Sequence, residues 1–272
     1  MATTSPPFKV APAAISRGSL AFLLVGPPGS GKTTILGTMP GRGIVINTLP
    51  AERGAHIVLA NKRDRIDVVD VSVWDQIQPI VDHMKLPKER HGYDWVALDS
   101  FTGLNPLAKK RSLKERGDRG ISADPALMTK QDWGNMGNFL FNLLFEFLSI
   151  QVPKLVIAQE STYESEGLES KIGPDTRPPV IGFLLQSMSG IGRLYSAAMG
   201  GGVYERRMLV AERSPYMTKW QVDSDRTEWP AVIKNPNLDV MLKYAYGPLG
   251  KYPAPEGVDE QTESQNTGMT EI

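Results

Sequence analysis

Gly26-Pro27-Pro28-Gly29-Ser30-Gly31-Lys32-Thr33 is the stretch of this sequence whose residue types and spacing most clearly prescribe a chemistry. It fits the phosphate-loop pattern G-x-x-x-x-G-K-[ST], in which a glycine-rich turn aims backbone amides at a polyphosphate. Lys32 is expected to reach the β- and γ-phosphates, and the Thr33 hydroxyl to ligate magnesium. With Thr34 included, residues 26–34 are the expected binding segment for a nucleoside triphosphate and Mg2+. The bland alternative is a glycine-rich turn that holds nothing.

Such a site needs a second acid beside the metal. Asp99 ends the apolar run 95–98, which would deliver a carboxylate from a buried strand to the magnesium. Ser100 follows it rather than a glutamate, so a general base must come from elsewhere. Glu52 is the candidate, because it lies just beyond the apolar run 43–47, and neighbouring parallel strands bring their C-terminal ends to one crevice. The competing reading of Glu52 is a solvated loop carboxylate.

The elements that must hold these residues are legible from periodicity. Residues 19–25 form a short apolar strand ahead of the glycine turn, and 32–39 a helix stopped by Pro40 and Gly41. Further strands are expected at 43–47, 66–70, 93–98 and 154–158. Helices are expected at 73–84, with Ser72 as N-cap and Pro79 inside, and at 133–150, where Met136, Leu140, Leu143, Leu144 and Phe147 make an apolar stripe. Strands alternating with helices argue for a mostly parallel twisted sheet with helices on both faces. Residues 160–179 read as a surface loop and 180–188 as a helix. Strands at 191–198, 204–211 and 217–222 read as an antiparallel C-terminal extension, and a last helix covers 238–246.

Taken together, the phosphate loop, the glutamate after the second strand, the aspartate strand without an adjacent glutamate, and Gln159 closing the next strand resemble the RecA-like recombinase core. The likeness is nearest to the minimal RecA-like P-loop ATPases of bacteriophages associated with single-strand annealing, and spans roughly residues 15–246. It implies an α/β RecA-like fold, ATP as the nucleotide, single-stranded DNA as a partner, self-association into a ring or filament, and a single-strand-binding protein as a further contact. It also implies that Gln159 senses the γ-phosphate, against the alternative of a strand-end glutamine bonded to backbone. Relatives of this kind use a Lys-x-Arg pair to reach a neighbouring subunit's nucleotide. Here Lys219 is followed at that spacing by Gln221, so Lys219 is a candidate trans-acting residue or an ordinary strand lysine, with Arg206, Arg207 and Arg213 as unranked substitutes.

Two segments fall where the resemblance places DNA-contacting loops. The first carries Lys109, Lys110, Arg111, Lys114, Arg116 and Arg119 against Glu115 and Asp118. It reads either as a phosphate-binding patch or as a solvated helix end. The second, 160–179, has Glu160, Glu164, Glu166 and Glu169, a poor surface for a polyanion. Trp95, Trp133, Trp220 and Trp229 read as packing rather than base-stacking platforms.

Composition bounds the rest. The chain has 272 residues, 41% hydrophobic and 22% charged, so it can bury a full core. Thirty basic residues balance thirty acidic ones, so any nucleic-acid contact must be local. The absence of cysteine excludes thiolate metal sites and a cysteine nucleophile, and three scattered histidines make a poor metal cluster. There is no signal-peptide run and no apolar stretch of membrane-spanning length, so the expectation is a cytoplasmic protein, in the host cytoplasm if phage-encoded, with no membrane partner. The expected organisation is an N-terminal extension over 1–17, one ATPase domain over 18–248, and a disordered acidic tail over 249–272 that shields the basic segment, binds a basic partner or simply aids solubility. Rival functions are a nucleotide-switched DNA-binding scaffold with negligible turnover and a helicase or packaging motor. A nucleotide kinase fits less well, because 160–179 holds a single arginine where an arginine-rich lid would be needed.

Overall fold

The computed structural model describes residues 20–50, 54–121, 124, 128–164, 170–222, 226, 228–248 and 250–258. In chain order its first half contains β1 (Ala21–Gly26), α1 (Lys32–Leu36), β2 (Gly43–Asn47), α2 (Gly54–Leu59), β3 (Ile66–Asp70), α3 (Ile77–Met84), α4 (Lys88–His91) and β4 (Trp95–Asp99). There follow α5 (Phe101–Asp118), α6 (Lys130–Leu148), β5 (Lys154–Tyr163), β6 (Lys171–Pro174), α7 (Pro178–Ser187) and β7 (Gly190–Ala198). The last elements are β8 (Tyr204–Leu209), β9 (Lys219–Trp220), β10 (Val232–Lys234) and α8 (Leu238–Tyr246).

The strands form a ten-stranded, mostly parallel sheet in the order β10-β8-β7-β1-β5-β4-β2-β3, with β6 added to β5 and β9 to β7. All neighbours from β7 to β3 run parallel; β8, β10, β6 and β9 pair antiparallel. This mixed α/β architecture is compatible with a nucleotide-binding fold. Successive strand residues point to opposite faces, so each apolar run feeds two cores. Leu23, Val25, Ile46, Leu98 and Val156 pack with α3, α5, α6 and α7, while Phe22, Leu24, Val45, Trp95 and Ile157 pack with α1, α2 and α8. Among the described residues, no helix is long and apolar enough to cross a membrane.

The structure departs from the sequence expectations in several places. The basic stretch after Asp99, where the resemblance puts a DNA-contacting loop and the alternative reading a helix end, belongs to the 18-residue helix α5, whose N-cap Ser100 Oγ accepts from the Gly103 amide at 3.3 Å. Leu104, Leu107 and Ala108 recur at helical spacing and are buried, but the cations that follow conceal that period. The segment expected as a loop over 160–179 instead prolongs β5 to Tyr163 and returns as β6, with Glu160 opposite Pro174. The strand expected over 217–222 shrinks to two residues, where Trp220 stacks on Phe22 at a centroid distance of 4.9 Å. The helix expected from 73 begins as a 3-10 turn at Trp74–Gln76, its start tied down by Gln76 Oε1 rather than capped by Ser72. Strand β10 has no counterpart among the expected elements. The expected tail is partly ordered, since Gly257 bridges to Ile233 and the Val258 amide donates to Val232 O at 3.0 Å. Residues 1–19 and 259–272 lie outside the described residues.

Candidate functional site

β1 carries the phosphate-loop sequence to the C-terminal edge of the sheet, where the chain turns through Gly29 and Gly31, both at positive φ. Gly26 is also required by close approach to backbone, and Gly31 lies against an arginine side chain. A Cβ on Gly26 would overlap Leu194 O of β7, and one on Gly31 would sit 2.6 Å from Arg206 Cζ of β8. Lys32 is buried, and its Nζ donates to Gly26 O at 2.7 Å and Pro27 O at 2.8 Å. Burial pushes its pKa below the ordinary lysine value, against the opposing pull of Asp99 and Glu160.

Asp99 closes β4, and the Thr33 hydroxyl donates to Asp99 Oδ2 at 2.6 Å. The peptide bond between Asp99 and Ser100 is cis. The loop after β2 is tied to this point: the Thr48 amide donates to Asp99 O at 2.8 Å, the Ser100 amide to Thr48 Oγ1 at 3.1 Å, and Thr48 Oγ1 to Ser100 O at 2.6 Å. Between β1 and β4 lies β5, with Gln159 level with Gly26 and Ile157 level with Asp99. The Gln159 amide N–H donates to Thr102 Oγ1 at 3.0 Å and its carbonyl accepts from the Asp175 amide at 2.7 Å. Its side-chain amide makes no hydrogen bond among the described residues, so the main chain is satisfied while the side chain is uncommitted.

These residues fit a polyphosphate with magnesium. The space above Gly29 is open, the Ser30 hydroxyl is buried without a hydrogen-bond partner among the described residues, and a hydroxyl and a carboxylate converge beside the lysine. Thr33 and Asp99 are oxygen donors of the kind magnesium takes alongside phosphate oxygens and water.

No protein-family model and no curated protein matches this chain.

The other expected site residues are placed less uniformly. Glu52 lies outside the described residues, although the loop leading to it starts at Thr48, beside Asp99. Lys219 is paired with Ile191, which is level with Leu23, three residues before Gly26. At 3.3 Å per residue that is roughly 10 Å below the loop and two strands away, so Lys219 is not part of the group around 26–33.

Of the six cations expected to meet DNA, five fall on α5, which starts at the site and runs away from it, and Arg119 is its C-cap. At 1.5 Å per residue Lys110 lies roughly 14 Å and Arg116 roughly 23 Å along the axis from Phe101. Arg116 is buried against Asp132 of α6, Nη1 to Oδ2 at 2.6 Å, with side-chain exposures of 6% and 2%. Arg111 is engaged by Asp75 at 2.6 Å and Glu115 at 3.1 Å, Lys114 lies 3.9 Å from Asp75, and Arg119 Nε donates to Glu115 O at 3.1 Å. Lys110 is exposed and Lys109 half-buried, and neither has a carboxylate partner among the described residues.

Sequence reasoning passed over two neighbours of the loop. Glu160, counted there among the charges of an acidic loop, follows Gln159 and lies near Lys32, held by Arg193 through Nε at 2.8 Å and Nη2 at 3.1 Å. Arg193 in turn stacks over Tyr216 with Cζ 4.2 Å from the ring centroid. Its place right after a strand end beside β1 was the available signal. The second is Arg206, named there only as an unranked substitute for a residue reaching a neighbouring subunit; the β7–β8 pairing brings it instead to Gly31 of its own chain.

Proposed function

We propose that this chain is a RecA-like, magnesium-dependent ATPase that acts on single-stranded DNA, in recombination, annealing or repair of the kind bacteriophages carry out. The observation that carries the reading is the 2.6 Å contact between Thr33 and Asp99 beside the phosphate loop, with the Gln159 strand inserted between them. A glycine turn alone would account for phosphate contact. The hydroxyl–carboxylate pair adds the two protein oxygens that a triphosphate's metal requires.

In this reading the amides of residues 29–33 and the Lys32 ammonium bind the phosphate chain, and Thr33 and Asp99 hold the magnesium. A magnesium ion held by those two oxygens would supply charge neutralisation to the phosphate chain. Glu52 orients a water for in-line attack on the γ-phosphorus and takes its proton. Gln159 reports the γ-phosphate to the β5–β6 hairpin, because β5 runs unbroken from Gln159 to Tyr163 and the hairpin is fastened at Asp175. Lys219, away from this chain's own loop, is left to meet the nucleotide of a neighbouring copy in a ring or filament. Lys109 and Lys110 are the uncommitted cations for DNA phosphates.

The reading is tested by nucleotide titration and phosphate release with and without single-stranded DNA. Lys32→Ala is expected to abolish ATP binding, and Glu52→Gln to keep binding while losing hydrolysis. Normal ATP affinity in the lysine variant removes the phosphate-loop assignment. Binding without turnover in the unaltered chain favours the switched scaffold instead.

A further inference from the structure

Resting on that reading of residues 26–34, we infer that Arg206 is a further phosphate-binding residue of the same site, supplied by β8 of the same chain. β8 lies two strands from β1, with β7 between them. Arg206 shares a strand face with Met208, which packs in the same core as Ile35 and Leu36 of α1, so the arginine points to the side of the sheet on which the phosphate loop turns. Directly opposite Arg206 on β7 stands Ser196, whose small side chain leaves a path across the strand. The long stem crosses it, and the guanidinium reaches Gly31: a Cβ there would lie 2.6 Å from Cζ and 2.9 Å from Nη2.

The backbone of Arg206 is fixed from the other side by the Asn235 amide, which donates to its carbonyl at 2.7 Å. Its neighbours in the hairpin are committed elsewhere: Arg207 Nε bonds Glu205 Oε1 at 2.7 Å, and Arg193 bonds Glu160. Arg206 has no carboxylate partner among the described residues. A guanidinium held against the glycine turn without a counter-anion offers planar, forked donors to the anion that the turn is built to hold. Gly31 is required for its positive φ of 88°, and its missing side chain also leaves room for the arginine.

The experiment measures ATP affinity, its ionic-strength dependence and the nucleotide-free thermal midpoint for the unaltered full chain, Lys32→Ala, Arg206→Met and Arg206→Lys. Methionine keeps most of the apolar stem and removes the charge. Arg206→Met is expected to keep the nucleotide-free midpoint, weaken ATP binding about ten- to a hundredfold, and flatten its salt dependence. Arg206→Lys, which returns the charge without the fork, is expected to restore the salt dependence; a dependence as flat as methionine's overturns an electrostatic role. ATP affinity in Arg206→Met equal to the unaltered chain, with Lys32→Ala defective, overturns the assignment of Arg206 alone. A chain that binds no nucleotide, or whose Lys32→Ala variant binds normally, overturns the phosphate-loop reading and this inference with it.

Discussion

Thr33 Oγ1 donates to Asp99 Oδ2 across 2.6 Å, although the two residues are 66 positions apart, one after β1 and the other at the end of β4, with β5 between those strands. Their meeting depends on the parallel alignment of β1, β5 and β4, which sets Gly26 level with Gln159 and Asp99 level with Ile157, two residues earlier on β5. Each strand contributes a single group to one edge of the sheet, where phosphate and metal would sit.

Replacing Asp99 by asparagine therefore tests the pair with little change of shape. Asp99→Asn is expected to slow magnesium-dependent phosphate release about a hundredfold or more and to abolish the extra thermal stabilisation that magnesium adds to ATP. Turnover at the unaltered rate would remove Asp99 from the metal site.

The cations of α5 separate into two kinds. Lys109→Ala with Lys110→Ala is expected to lower affinity for a single-stranded oligonucleotide and to reduce the slope of log affinity against log salt by about 1.4, at about 0.7 for each DNA phosphate no longer neutralised. Arg116→Met is expected to leave that slope alone but to lower the thermal midpoint, because buried Asp132 loses its cation and keeps only its Thr129 hydrogen bonds. An unchanged slope in the double lysine variant would move DNA binding away from α5.

Lys154 gives a pH dependence of known sign. It is fully buried at the start of β5, its Nζ donates to Ile150 O at 2.6 Å, and burial pushes its pKa down to about 8. The folded protein thus releases this proton before the unfolded chain does, whose lysine titrates near 10.5. Unfolding takes up a proton between those values, so this group makes stability rise from about pH 8 to about 10.5, while its full cost is present below pH 8. Lys154→Met is expected to exceed the unaltered chain in stability at pH 7 by up to about 3 kcal/mol, less about 1 kcal/mol for the hydrogen bond it removes. Urea unfolding at pH 7 and about pH 9.5 should show that advantage shrinking at the higher pH. A constant difference would show that Lys154 enters both states equally charged.

The sequence by itself determined the local parts of this protein. Glycines at 26, 29 and 31 before Lys32, the strand ahead of them, and the strand ending in Asp99 are readable because each depends on neighbours within a few residues, through turn conformation or alternating burial. The tertiary structure decided what those parts meet. Only strand order and register brought Thr33 to Asp99, set Gln159 between them, and carried Arg206 across β7 to Gly31. The same holds for the cations of α5: in sequence Arg116 and Lys110 are alike, and only packing against α6 buries one with Asp132 while leaving the other in solvent. The fate of a charged side chain is fixed by the dielectric and partners that distant segments supply, and local patterning carries no record of those.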